Sequence, residues 1–240
     1  TEKRYALLAV SFFAFDPNLI ENANFGITEP LLILFGLISI IFLIKQETKY
    51  LIISALFAGL ALDVRMNGIV FVIISIIIIV IRSKNNSKRI KNLIIIILFF
   101  SIAAIPFFIQ SNEQFGNPLG TGLYFIEGVQ NKVAPSESAE SIGSDLFKKL
   151  ISAIGTEILH IFRISIPYLV LFVPFGFIAI FETKMKNISI LIITLIVYLI
   201  ISIPQYTLSI EFRNLFFILP IFAIFGSIGI EYITKNSSKR

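Results

Sequence analysis

The sequence predicts an all-α fold: a polytopic transmembrane helical bundle of about eight spans, with one larger extracytoplasmic loop. Three observations carry this. Of the 240 residues 56% are hydrophobic, and the mean hydropathy is +0.90. The apolar share of soluble domains is about 45–50% and their charged share roughly 25%, whereas only 15% of this chain is charged. The apolar residues also fall in continuous runs of Ile, Leu and Phe. Continuous rather than alternating runs select helices over barrel strands, and lipid leaves no other way to satisfy the backbone. Finally, the loops between runs are alternately loaded with Lys/Arg and nearly devoid of them. Lys3-Arg4, Lys45 to Lys49, Arg82 to Lys91, Lys184 to Lys186 and Lys235 to Arg240 hold 14 of the 20 basic residues. This positive-inside pattern places those loops and both ends of the chain in the cytoplasm of a multi-pass plasma-membrane protein. Any chemistry then belongs to the opposite face.

A helix needs about 20 residues to cross a hydrocarbon core of about 30 Å. The candidate spans are Tyr5–Ile20, Pro30–Ile44, Tyr50–Leu62, Ile69–Ile81, Leu93–Ile109, Ile158–Phe181, Ile188–Ile203 and Leu215–Ile233. The third and fourth are short, but as one helix they would put Lys45–Lys49 and Arg82–Lys91 on opposite sides. A hairpin turning near Asp63–Gly68 returns both clusters to the same side; without it the count is seven. The outer face then receives Asp16–Glu29, Asp63–Gly68, Gln110–Glu157 and Pro204–Asn214. The chain reads as one transmembrane domain over 1–240 in which 110–157 is the extracytoplasmic loop. That loop opens with Gly116-Asn117-Pro118 and Gly120-Thr121-Gly122, which read as turns. Near 145–156, Ser144-Asp145 followed by Leu146, Leu150, Ile151 and Ile154 predicts a capped amphipathic helix lying in the interface.

The net charge of +5 does not point to nucleic acid, because the cations flank apolar spans, where anionic headgroups and topology account for them. Without Cys and with a single His, Cys-based metal sites, redox motifs and disulfides are excluded. The chain opens Thr1-Glu2-Lys3-Arg4 with neither initiator Met nor signal peptide, and reads as a fragment of a longer protein.

Ionisable groups near the membrane invite a functional reading, although snorkelling is an ordinary alternative. Asp16, Glu21 and Glu29 share an outer segment without Lys or Arg. Such carboxylates can bind a divalent cation or act as a base on a hydroxyl; equally, Glu29 beside Pro30 favours a helix N-terminus. Asp63, Arg65 and Asn67 occupy the hairpin tip, where Arg65 either grips a phosphate or pairs with Asp63. Glu211 and Arg213, beside Asn214, repeat the acid–cation theme as phosphate or sugar contacts or as interfacial anchors. Glu157, His160 and Arg163 share one helical face and read as a polar rim. Tyr124 with Phe125, and Tyr206, read as belt aromatics or as platforms for a sugar ring.

Several of these stretches, in this order, resemble the GT-C superfamily of membrane glycosyltransferases, of the dolichyl-phosphate-mannose–protein mannosyltransferase and aminoarabinose transferase type. Ala14-Phe15-Asp16-Pro17 followed by Thr28-Glu29-Pro30-Leu31 is similar to that family's second outer loop, with Glu29 where Asp is commoner. Ala58-Gly59-Leu60-Ala61-Leu62 with Arg65 and Gly68 is similar to its glycine-containing helix and cationic turn. Phe115-Gly116-Asn117-Pro118-Leu119 is similar to a later loop. Glu211-Phe212-Arg213-Asn214-Leu215 with Leu219-Pro220 is similar to its acid–Arg–aromatic element, with Asn214 replacing the aromatic.

The resemblance implies sugar transfer, hexosyl or pentosyl, from a polyprenyl- or dolichyl-phosphate-linked donor to a protein, lipid or glycan acceptor on the extracytoplasmic face. Glu29 would act as the catalytic acid–base group. Arg65 and Arg213, or a bound divalent metal ion, would stabilise the departing phosphate. Asn117, Tyr124 and Glu211 would contact substrate, and the 126–145 loop would shape the acceptor side. The family's principal acid lies in a first outer loop, so its equivalent is expected upstream of Thr1. A transporter or flippase would instead show midplane charges or paired broken helices, and an assembly subunit would show no converging acids and cations.

Overall fold

The computed structural model describes residues 3–24, 28–83, 85–120, 139–164, 167–183, 188–208 and 215–237. Among these residues every regular element is helical, as the composition predicts. The α-helices are α1 Lys3–Ala14, α2 Pro17–Asn24, α3 Glu29–Lys45, α4 Thr48–Val64, α5 Ile69–Arg82, α6 Asn86–Ala103, α7 Ile105–Phe115, α8 Ala139–Ile164, α9 Pro167–Thr183, α10 Ile188–Leu208 and α11 Ile218–Ser237. One turn of 3-10 helix, Met66–Gly68, joins α4 to α5. The chain forms two compact units, one of residues 1–30, 155–199 and 211–240, the other of 31–154 and 200–210.

In the first unit α11 is the core: its residues from Ile218 to Gly229 are almost all buried. It packs on α9 and α1. Two glycines set the α9–α11 approach, since a Cβ on Gly176 would run into the Phe225 carbonyl and one on Gly229 into the Phe172 carbonyl. The rings of Phe177 and Phe225 meet beside this crossing at 4.6 Å. On α1, the Tyr5 hydroxyl shares a 2.7 Å hydrogen bond with the Thr234 hydroxyl of α11.

In the second unit α4 packs on α5 and α6. Its small residues Ser54, Ala55, Ala58, Gly59 and Ala61 are buried, the composition that lets helix backbones approach closely in lipid. The Ser39 hydroxyl of α3 donates to the Ser54 carbonyl at 2.9 Å. At the basic end, Lys45 Nζ stands 4.2 Å above the Tyr50 ring, which itself stacks on Phe42.

The element boundaries differ from the expected spans in several places, and α10 runs on to Leu208, past the expected end at Ile203 and into the expected 204–214 loop. α1 stops at Ala14, short of Ile20, because Asp16-Pro17 begins a new helix. The run Leu93–Ile109 is broken at Ala104 into α6 and α7, bent by 56°, where Pro106 enters the first turn of α7. The stretch Ile158–Phe181 is shared between two helices, α8 and α9, with α8 extending on both sides of 145–156. Among the described residues α11 is the one helix long and apolar enough to cross a bilayer by itself, and α6 with α7 qualifies if the bent pair is one span. Met66–Arg82, Leu171–Glu182 and Ile188–Ile203 are apolar but shorter. The 17-residue α3 and α4 reach about 25 Å at ~1.5 Å per residue.

Candidate functional site

Two buried acids lie in the segment after α1. Asp16 stands between α1 and α2 and is only 1% exposed. Its Oδ1 accepts the backbone N–H groups of Asn18 at 2.9 Å and Leu19 at 3.1 Å, while its carbonyl accepts Ile20 N–H. This is an N-cap, with Pro17 in the first helical position where its missing N–H costs nothing. The other oxygen, Oδ2, is buried without a hydrogen-bond partner among the described residues. Burial pushes the Asp16 carboxyl above its ordinary value of 3.8, against the lowering effect of the Leu19 and Asn18 N–H groups.

Glu29 is the first residue of α3 and is 2% exposed. A carboxylate there stands in the first turn of the helix. Glu21, on α2, is exposed. Glu29 belongs to the first unit.

Arg65 and Asn117 belong to the second. Arg65 closes α4 in an extended conformation, its N–H donating to Ala61 O at 3.1 Å and its own carbonyl accepting Gly68 N–H at 2.8 Å. It is half-buried, and the following Asn67 is buried. The expected break at Asp63–Gly68 is therefore present, formed by this extended residue and one 3-10 turn. The Asp63 Oδ1 accepts the N–H of Phe107 at 2.9 Å, a contact between distant helices that no local spacing announces.

Asn117 is exposed and builds the turn after α7. Gly116 ends that helix in the left-handed region at φ 66°. Asn117 Oδ1 accepts Leu119 N–H at 2.9 Å, and the Asn117 carbonyl accepts the Ser111 hydroxyl at 3.1 Å and Gly120 N–H at 2.8 Å. The side-chain oxygen thus accepts within an Asx turn. Tyr124, Glu211 and Arg213 lie outside the described residues, as does most of the 126–145 loop. On α8, Glu157 is buried, His160 half-buried and Arg163 exposed.

Among the described residues no three His, Cys, Asp or Glu side chains converge as a metal site would require. Sequence reasoning passed over the depth at which Asp16 sits and the reach of Asp63 to α7. The Asp-Pro pair at 16–17 is a signal for the first, whereas nothing in the sequence pairs Asp63 with Phe107.

No curated protein and no solved structure matches the chain. Residues 1–109 match the sequence profile of a family described as dolichyl-phosphate-mannose-protein mannosyltransferase. The matched stretch contains the Ala14–Leu31 and Ala58–Gly68 motifs; Phe115–Leu119 and Glu211–Leu215 lie beyond it. Over those 109 residues the chain is similar to the mannosyltransferases, which supports the family resemblance drawn from its motifs.

Proposed function

We propose that this protein transfers a sugar, hexosyl or pentosyl, from a polyprenyl- or dolichyl-phosphate-linked donor to a hydroxyl of a protein, lipid or glycan acceptor on the extracytoplasmic side of the membrane. The observation that carries the reading is the family match over residues 1–109 falling on the segment in which a buried glutamate opens α3. In this reading the chain crosses the bilayer about eight times, with its basic loops in the cytoplasm. Exposed apolar side chains such as Leu7, Val10, Ile94, Leu98, Ile102, Leu171 and Phe181 suit a lipid-facing surface.

An acid takes the proton from the acceptor hydroxyl as that oxygen attacks the anomeric carbon; the principal one is expected upstream of Thr1, and Glu29 is the candidate within this chain to share that role. The bond from that carbon to the donor phosphate breaks, and the lipid phosphate leaves with the electron pair. Arg65 and Arg213 stabilise the charge gathering on the phosphate, as fixed cations do where charge develops. Asn117 through its NH₂, Tyr124 and Glu211 hold the sugar and the acceptor. The donor's polyprenyl chain remains among the apolar helix faces. A divalent cation at the outer carboxylates is compatible with this scheme, and no step depends on it.

A transporter or flippase fits the sequence less well, since no span carries a central charge and no paired broken helices recur. A non-catalytic assembly subunit would give Glu29 no role beyond its helix. The test uses full-length protein in lipid vesicles with a radiolabelled polyprenyl-phosphate sugar. Glu29→Gln is expected to reduce transfer by about a hundredfold or more, and Arg213→Ala by roughly ten- to a hundredfold. Unchanged transfer in both variants removes these residues from the mechanism.

A further inference from the structure

Asp63 has no part in the proposed chemistry, yet its side chain ties the end of α4 to the far half of a broken helix. The break itself follows from the sequence. Pro106 has no N–H, and its ring would occupy the space of the Ile102 carbonyl if α6 simply continued. The helix therefore stops at Ala103 and restarts at Ile105, turned by 56°. A restart leaves the first N–H groups of α7 without acceptors in their own helix. Phe108 N–H finds Ala104 O at 3.2 Å. Phe107 N–H donates instead to Asp63 Oδ1 at 2.9 Å, across 44 residues of chain.

This bond is an N-cap supplied by another helix. It forms where α4 and α6 are already pressed together, since a Cβ on Gly59 would lie 2.5 Å from Ala103 Cβ and 2.8 Å from Phe100 O. Downstream, α7 carries the outer turn rigidly. Gly116 N–H donates to Asn112 O at 2.8 Å, and the Ser111 hydroxyl donates to the Asn117 carbonyl at 3.1 Å. The place of the 117–120 turn therefore depends on the direction of α7, and the direction of α7 on what holds its first turn.

We propose that Asp63 is a positioning residue: by accepting Phe107 N–H it locks α7 at the bend imposed by Pro106 and so fixes the Asn117 turn. The geometric part stands without the transfer reaction; its bearing on turnover rests on the function proposed above. The contact needs an acceptor oxygen at that point and no negative charge. An Asn keeps that oxygen and an Ala does not, which distinguishes this role from a catalytic or ion-pairing one.

The test is a distance measured by pulsed electron paramagnetic resonance on the full-length protein in lipid. Spin labels are placed by Lys88→Cys and Gln114→Cys, at exposed positions on α6 and α7, in a stretch with no native cysteine. The unsubstituted background and Asp63→Asn are expected to give the same narrow distribution, and Asp63→Ala a broadened or displaced one. With Pro106→Ala, which restores an ordinary helix interior, Asp63→Ala should no longer broaden it, so a folded comparison exists even if the single variant is unstable. Transfer is measured in parallel. Asp63→Ala is expected to lower kcat by about ten- to a hundredfold, while Asp63→Asn stays within about twofold of wild type, since one acceptor oxygen is exchanged for another. An unaltered distribution in Asp63→Ala, or an Asp63→Asn as broad as Asp63→Ala, overturns the proposal. A protein without transferase activity whose distances still follow this pattern overturns the function and leaves the lock standing.

Discussion

Asp16 shows how one side chain can serve a helix and still bear an electrostatic cost. Its Oδ1 satisfies two orphan N–H groups of α2, while burial disfavours the ionised form. Removing the cap by Asp16→Ala is expected to cost about 1 kcal/mol, read as a lower apparent Tm of the solubilised protein. The pH dependence has a definite sign. A carboxyl raised above its ordinary value binds its proton more tightly in the folded state, so this contribution is complete below pH 3.8. It is lost as pH rises through the folded-state value. Asp16→Asn keeps an acceptor for the cap and cannot ionise. Its melting profile should therefore be flatter than wild type just above pH 3.8, and a parallel profile would mean that Asp16 does not titrate there. Asn117 differs, its side-chain oxygen being committed to a local turn.

Glycine contacts govern the element scale in both units. In the second, Gly59 lets α4 meet the Phe100–Ala103 stretch of α6. In the first, Gly176 and Gly229 each receive a carbonyl of the opposing helix where α9 crosses α11. A side chain at any of them must push a helix away rather than rotate aside, because the obstacles are backbone atoms or a short alanine. Gly59→Leu is expected to destabilise the protein by roughly 1–3 kcal/mol through overpacking, and Gly176→Leu by a similar amount. Chemical unfolding followed by circular dichroism checks both; a Gly59→Leu protein as stable as wild type would show that α4 and α6 do not pack this closely. The bend between α6 and α7 is the other decision at this scale. The proline that causes it is visible in the sequence, but the acceptor that holds it comes from α4.

At the scale of the whole molecule, the charge map makes a prediction about sidedness. With the proposed topology, a cysteine replacing Lys88 is expected to react with an impermeant maleimide only from the cytoplasmic side. One replacing Gln114 should react only from the outside. Labelling of intact and opened cells distinguishes them, and reaction of both from one side would remove the crossing by α6 and α7. The same experiment bears on function, because Asn117 stands three residues beyond Gln114 and a substrate contact there requires the outer face.

The helical class and the helix break at Asp63–Gly68 were legible in the sequence by itself. Hydropathy, charge alternation and turn residues are local properties, and they act through the solvent before any tertiary contact exists. The first 109 residues also carried enough pattern to match a family. Helix ends were less legible. The expected span over Leu93–Ile109 ignored Pro106, and Tyr5–Ile20 ran through the Asp16-Pro17 cap, because an average over apolar residues outvotes a single cap or proline. Burial was beyond the sequence altogether. Only the tertiary structure decided that Asp16 and Glu29 are enclosed, that the Asn117 oxygen is spent on its own turn, and that Asp63 serves Phe107. A carboxylate's environment is set by groups brought to it from elsewhere in the chain, and for Asp63 that group comes from 44 residues away.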